Sequence, residues 1–189
     1  MNGLNKIKYN SPVILTFTLA SFVVLILGYL TGGRITEYAF CVYRGSWSDP
    51  MFYIRWFTHV LGHADWQHFL NNFMMILLVG PMLEEKYGSE SLLIMIVVTA
   101  VITGVINIIF FNTALLGASG IAFMLILLSS FANNKEGDIP VTLILVSWLY
   151  IGNEIINGVI AQDNISQVTH IIGGICGAIC GFTIGKKSR

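Results

Sequence analysis

A serine and a histidine at the starts of two apolar stretches are the residues of this chain best suited to act together chemically. Ser119 stands in the sequence Gly117-Ala118-Ser119-Gly120, and His170 follows about fifty residues later. A serine hydroxyl becomes a useful nucleophile when a neighbouring base takes its proton, and histidine is the side chain most often used as that base. Because an unpaired polar group in hydrocarbon costs several kcal/mol, each residue needs a partner.

The composition indicates a membrane protein. Of the 189 residues, 55% are hydrophobic and 11% are charged, and the mean hydropathy is +0.75. A soluble domain has about 25% charged residues. The formal net charge of zero argues against a nucleic-acid partner and leaves membrane lipid as the expected surroundings. The three cysteines, Cys41, Cys176 and Cys180, fit neither a disulfide framework nor a metal site.

The alternation of apolar runs with polar breaks predicts one all-α membrane domain over residues 1–189. Its six transmembrane helices are expected at residues 12–30, 66–83, 91–111, 119–134, 140–161 and 167–185. Ser11 and Pro12 are a helix cap and a first-turn proline, and the run that follows is too long for a signal peptide, so a retained anchor is expected. No further soluble domain or seventh helix is expected.

The connection between the first two predicted spans, residues 32–65, interleaves aromatic residues with three arginines. This composition is typical of a segment that lies in the membrane interface, although an ordinary folded loop would also fit. With six spans both termini share one side, and seven of the ten lysine and arginine side chains fall there. The positive-inside rule therefore predicts cytoplasmic termini.

The polar residues of three predicted spans lie at similar depth. Counted from the cytoplasmic boundary, Ser119, His170 and His68 are each sixteen residues deep and Asn72 is twelve, which corresponds to about 24 and 18 Å of helix. The hydrocarbon core is about 30 Å thick, so all four lie below its outer edge. His68 and Asn72 are four residues apart and therefore share one helix face.

Glycines predict how the helices approach one another. Gly173 and Gly177 belong to a ladder of glycines, spaced four apart, that runs to residue 185, and such a face lets another helix backbone come close. The helix beginning at Ser119 is the expected neighbour. Gly117 and Gly120 would permit a tight turn around the serine, and the short helix would aim its N-terminal N–H groups into the bundle.

Together these residues supply a nucleophile, a base and oxyanion donors, which are the parts required for acyl transfer. No carboxylate is placed as a third member, so a Ser–His dyad is predicted. His59, His63 and His68 invite a metal-carrier hypothesis, but their spacing is not HExxH, and a hydrogen-bonded cap is the preferred interpretation for His59 and His63.

Four other polar residues of the apolar regions receive simpler interpretations. Glu84 and Lys86 are expected to be solvated charges at the interface, and Asn107 and Asn157 to form hydrogen bonds between helices. Glu154 has two equally supported interpretations: it lines a cavity at the depth of Ser119, where it would raise the charged fraction of His170, or it lies near the outer headgroups.

Several of these motifs, in this order, resemble those of the rhomboid intramembrane serine proteases. The resemblance covers nearly the whole chain and is carried by His63-x4-His68-x3-Asn72, Glu84-x-Lys86-x-Gly88, Gly117-Ala118-Ser119-Gly120 and His170-x2-Gly173-x3-Gly177. It implies a minimal six-helix bacterial type in the cell membrane, with membrane-spanning substrates cut near the outer face and no cofactor or metal. Residues 140–161 would correspond to the family's lateral substrate gate.

The resemblance also implies roles for individual residues. Ser119 would be the nucleophile and His170 the general base, while His68, Asn72 and the Ser119 backbone N–H would form the oxyanion hole. Two departures stand out: Ile54-Arg55 replaces a frequent Trp-Arg, and Phe123 replaces a tyrosine that stacks under the histidine. The alternative function is that of a catalytically silent relative that binds membrane proteins.

Overall fold

The described part of the chain is a helical bundle. The computed structural model describes residues 9–131, the helical residues 141, 142, 144, 145, 148 and 149, and residues 164–184. Seven α-helices and one 3₁₀ turn can be delimited within it, and they are α1 (Pro12–Leu30), α2 (Arg34–Ala39), α3 (Pro50–Thr58), the 3₁₀ turn His59–Leu61, α4 (Trp66–Tyr87), α5 (Ser89–Phe110), α6 (Ser119–Ser129) and α7 (Asn164–Ile184). Over those same residues the only β pairing is an isolated bridge between Val42 and Leu115.

The predicted spans at 12–30, 66–83, 91–111 and 167–185 correspond to α1, α4, α5 and α7, and the span at 119–134 begins with α6. Within the described residues, α1 and α5 are long and apolar enough to cross a membrane, whereas α6 and Val168–Cys180 are shorter apolar helices. Only six residues of the span at 140–161 are described, and Glu154 and Asn157 lie outside the described residues. The count of six membrane spans therefore stays a prediction.

Helix α6 occupies the centre of the bundle. It packs most extensively on α7, then on α4 and α5. Its side chains Ile121, Met124, Leu125 and Leu128 are fully buried. A helix that is apolar on every side is expected to be surrounded by other elements, and α6 fits this rule. Because α6 is central, α4, α5 and α7 surround the turn that precedes it.

Glu84 joins the C-terminal end of α4 to the start of α1, which corrects the prediction that it is a solvated charge. Glu84 is 4% exposed, and its carboxylate accepts hydrogen bonds from the backbone N–H groups of Val13 and Ile14 at 2.9 and 3.0 Å, and from the Ser89 hydroxyl at 2.7 Å. A helix N-terminus offers unpaired N–H groups and a positive dipole end, so a carboxylate is stabilised there. Ser11, the predicted cap, makes no side-chain capping bond.

Two other sequence interpretations also change. The Lys86 ammonium donates to the Phe131 carbonyl at 3.3 Å, so it joins the ends of α4 and α6 instead of being only solvated. The Asn107 side-chain amide donates to the Thr113 carbonyl at 2.9 Å, in the connection that follows α5, and not to another helix. In both cases the side chain donates to a backbone carbonyl that lies beyond the end of a helix.

The connection between α1 and α4 is a folded segment that contains α2 and α3. Arg55 is 4% exposed within it, forms an ion pair with Asp49 at 2.8 Å and lies 4.3 Å from the centre of the Tyr43 ring. Other aromatic side chains of the segment, Tyr38, Trp47, Tyr53 and Phe57, are exposed. The segment therefore combines a paired internal charge with an aromatic outer surface.

Candidate active site

The contact between α6 and α7 is made by backbone atoms. A Cβ built on Gly173 would overlap the Gly120 carbonyl oxygen and lie 2.9 Å from the Gly120 Cα, and one built on Gly177 would overlap the Met124 carbonyl oxygen. Both helices advance by four residues between these contacts, so they run parallel. The predicted approach of the two helices along the glycine face is confirmed.

The same contact brings His170 to the start of α6. The imidazole of His170 stacks on the ring of Phe123, with the ring centres 4.3 Å apart and the planes 7° from parallel. Phe123 lies four residues after Ser119 on one face of α6, about 6 Å along the axis. On the α7 side, the Thr169 methyl group would contact a Cβ of Gly120 at 3.3 Å. The segment that carries His170 therefore lies within about one helical turn of Ser119.

The N-terminal end of α4 covers the turn that precedes Ser119. Gly117 has φ +122°, a conformation that side chains rarely adopt, and a Cβ there would lie 2.7 Å from Nε2 of His68 and 3.7 Å from Nδ2 of Asn72. Glycine is required at this position for both its backbone angle and the lack of space. His68 and Asn72 thus converge on the backbone next to Ser119, on one face of α4 as the spacing predicted.

His63 connects these elements through one imidazole ring. Its Nδ1 lies 3.2 Å from the Leu61 carbonyl, while its Nε2 lies 3.1 Å from Nδ2 of Asn72 and 3.4 Å from the backbone nitrogen of Ala118. Since a carbonyl can only accept, Nδ1 carries the proton and Nε2 accepts from both N–H groups. Burial, and to a lesser extent the neighbouring His68, lowers the pKa of His63 from 6.5 to about 4, which favours this neutral form.

His59 is a second buried histidine next to the same turn. Its Nδ1 lies 3.1 Å from the Arg55 carbonyl and its Nε2 lies 3.4 Å from the Thr103 hydroxyl of α5. Its own carbonyl accepts a hydrogen bond from the Gly117 backbone N–H at 3.0 Å. Burial lowers the pKa of His59 to about 4. His59 and His63 therefore join the connection between α1 and α4 to the turn before Ser119, in agreement with the predicted hydrogen-bonded cap.

The candidate residues thus converge on one region, and the sequence interpretation missed some of their neighbours. Thr103, whose methyl group would contact a Cβ of Gly120 at 3.3 Å, and Thr169 flank α6 at this point. Polar residues in apolar helices are expected to face the bundle interior, and that rule would have found both. Among the residues that the structure describes, no three His, Cys, Asp or Glu side chains are grouped closely enough to hold a metal ion.

Comparison with known proteins identifies the family. The model of the Rhomboid domain matches residues 51–187, and the chain belongs to this membrane-embedded family. It is 27% identical over 138 residues to the rhomboid protease GlpG of Haemophilus influenzae, covering 71% of each chain. It is 25% identical over 183 residues to rhomboid protease GlpG of Yersinia pestis, covering 94% of this chain and 64% of that protein. The chain therefore spans less than two thirds of the Yersinia relative.

Proposed function

We propose that this protein is an intramembrane serine endopeptidase that cleaves membrane-spanning proteins with a dyad of Ser119 and His170. Membership of the Rhomboid family and similarity to named rhomboid proteases support this class of activity. The observation that supports the residue assignment is the stacking of the His170 ring on Phe123. Phe123 lies on the same face of α6 as Ser119, the first residue of that helix.

The proposed reaction follows from the arrangement of the three helices. His170 takes the proton of the Ser119 hydroxyl, and the Ser119 oxygen attacks the scissile carbonyl carbon to give a tetrahedral intermediate. His68, Asn72 and the Ser119 backbone N–H then donate to its negatively charged oxygen. His170 returns the proton to the leaving amine, and water hydrolyses the acyl-enzyme by the same steps. His63 supports the hole because its Nε2 accepts from the Asn72 amide and thereby orients it.

Similarity to rhomboid proteases suggests the substrate class, and the expected depth of the site supports it. With six spans over residues 1–189 and cytoplasmic termini, Ser119 lies about 24 Å from the cytoplasmic boundary, below the outer membrane surface. A peptide bond that reaches this level belongs to a protein that is itself in the membrane. We therefore propose transmembrane proteins cut near the outer face as substrates, and the cell membrane as the location.

The test is covalent labelling of the purified chain in detergent with a fluorophosphonate, followed by mapping of the adduct, together with cleavage of a single-span model substrate. We expect one adduct, at Ser119, and no labelling of Ser119→Ala. His170→Ala should neither label nor cleave, and the double variant should be scarcely slower than either single variant because the two residues act as a unit.

Ser129→Ala provides the matched control. Ser129 lies on the same helix and its hydroxyl donates to the Ile126 carbonyl at 2.7 Å, away from the candidate site. This variant should label and cleave at the wild-type rate. Cleavage that persists in Ser119→Ala would exclude the proposed nucleophile. A folded wild-type chain that neither labels nor cleaves would instead favour the alternative, a silent relative that binds membrane proteins.

A further inference from the structure

A cavity between α3 and α5 is separate from the candidate active site. It has a volume of about 400 Å³ and lies between α3 with its preceding loop and the last turns of α5. The lining residues are Arg44, Gly45, Trp47, Phe52, Trp56, Val105, Ile108 and Ile109. Ligand pockets in proteins have volumes of about 300–1,000 Å³ and apolar linings with few polar groups, so this cavity has the size and character of a binding site.

The walls of the cavity are aromatic and branched aliphatic side chains. The ring of Phe52 contacts those of Trp47 and Trp56, with centre distances of 5.0 and 5.6 Å, so the α3 wall is a packed aromatic cluster. Trp47 is 68% exposed at the rim. Tryptophan is enriched at the level of lipid headgroups, where its amphipathic ring is stabilised. The cavity therefore has the chemistry of the membrane interface.

An apolar strip of α5 continues from the cavity along the bundle. Ile109, Ile102 and Val98 are exposed and are spaced seven and four residues apart, which places them on one helix face. Val105, which lines the cavity, lies between Ile109 and Ile102 on that face. In a membrane-embedded protein such a strip contacts acyl chains. An acyl chain lying on the strip would pass Val105 into the cavity, whose other end lies near Arg44.

Arg44 is the one charged residue among the described residues that line the cavity. Its Nε and Nη2 donate to the carbonyls of Ile108 and Ile109 at 2.7 and 2.8 Å, at the C-terminal end of α5. A guanidinium has five N–H donors, so others are left for a ligand. The helix end contributes about half of a negative charge against one full positive charge, so the rim stays positive. Arg55 adds little because Asp49 neutralises it.

We propose that this cavity and the α5 strip bind one anionic glycerophospholipid, with an acyl chain in the cavity and the headgroup phosphate on Arg44. The apolar lining selects the chain, and the positive rim favours an anionic headgroup over a zwitterionic one, whose cationic group would be repelled by Arg44. A single basic side chain near a membrane surface is expected to enrich an anionic lipid about fivefold.

The two tryptophans of the cavity provide the measurement. In a Trp66→Phe/Trp148→Phe background, which leaves Trp47 and Trp56 as the fluorophores, the full chain is reconstituted in phosphatidylcholine vesicles. A small, fixed fraction of lipid brominated on its acyl chains is then added, either as phosphatidylglycerol or as phosphatidylcholine. We expect a given fraction of brominated phosphatidylglycerol to quench the tryptophan fluorescence strongly. An equal effect should require about a fivefold larger fraction of brominated phosphatidylcholine.

Three variants make the test specific. Arg44→Gln should abolish the preference for phosphatidylglycerol, whereas Arg34→Gln, which removes an exposed charge from α2, should keep it. Because Arg44 also binds the end of α5, Val105→Phe serves as an independent variant that fills the cavity with Arg44 intact, and it should reduce the preference. Equal quenching by both lipids overturns the proposal. The proposal is also overturned if the preference for phosphatidylglycerol is unchanged in Arg44→Gln or in Val105→Phe. It is likewise overturned if Arg34→Gln removes the preference to the same extent as Arg44→Gln.

Discussion

Between α6 and α7 the contact is made by glycine backbone atoms, whereas around His63 the elements are joined by hydrogen bonds from side chains. A Cβ on Gly173 would overlap the Gly120 carbonyl oxygen, so the distance between the helices is set by van der Waals contact. His63 instead accepts from Asn72 and Ala118, and this arrangement depends on which of its nitrogens carries a proton. We therefore expect the contact between α6 and α7 to be sensitive to side-chain volume, and the hydrogen bonds around His63 to be sensitive to the protonation of its ring.

The largest effect is expected from adding one methyl group to the glycine face. Gly173→Ala must push α7 away from α6, and a displacement of about 1 Å between reacting groups costs about 10²-fold in rate. We expect that loss in the cleavage of a transmembrane substrate, together with a lower thermal midpoint in detergent. Gly174→Ala is the matched control, since its Cβ would meet a Leu127 methyl group at 3.0 Å that can rotate away. A Gly173→Ala rate equal to that of wild type would show that the helix distance is not critical.

Acidification should destabilise the hydrogen bonds of His59 and His63 while leaving the glycine contact between α6 and α7 unchanged. The pKa values of His59 and His63 are lowered from 6.5 to about 4, so between these values the unfolded chain binds protons that the folded chain does not. The free energy of unfolding should therefore be highest above pH 6.5 and fall as the pH drops towards 4, by about 3 kcal/mol for each ring. Thermal midpoints measured against pH would test this. In His63→Gln the decline should be smaller, and a decline that is unchanged would assign the dependence to other groups.

A moderate effect is expected from removing the hydrogen-bond acceptor of Asn72. His63→Ala leaves the Asn72 amide without the Nε2 that orients it, so the proposed oxyanion donor would be misplaced but not lost. Complete loss of such a donor costs about 10²–10³ in rate, and we expect about tenfold here, in kcat with KM unchanged. His63→Gln offers a carbonyl oxygen as acceptor and should recover part of the rate. A change confined to KM would contradict this positioning role.

The smallest effect is expected at the stacked ring. Phe123→Leu removes the partner of the His170 imidazole, and an aromatic pair of this kind contributes about 0.5–1.5 kcal/mol. The cleavage rate should fall a few-fold. Phe123→Tyr keeps the ring and should retain the wild-type rate. A Phe123→Leu variant with wild-type kinetics would indicate that the stack on Phe123 is not what positions His170.

Local patterns in the sequence were enough to predict the long helices and the residues that share a helix face. Apolar runs and their breaks located α1, α4, α5 and α7, and the four-residue spacing placed His68 and Asn72 together. The glycine spacing also predicted the partner of α7, because only glycine leaves room for a second backbone. These features repeat along one helix with a period of 3.6 residues, so they can be read locally.

Which polar groups meet across the bundle could not be predicted from the sequence, because it depends on how the helices pack. Glu84 binds the start of α1 from 70 residues away, and the sequence interpretation treated it as a surface charge. The proton position on His63 and the contact of Thr103 with His59 likewise depend on which elements surround each ring. A local pattern tells which face of a helix a side chain occupies. The neighbour on that face is set by how the helices pack, because a buried polar group must find its partner there.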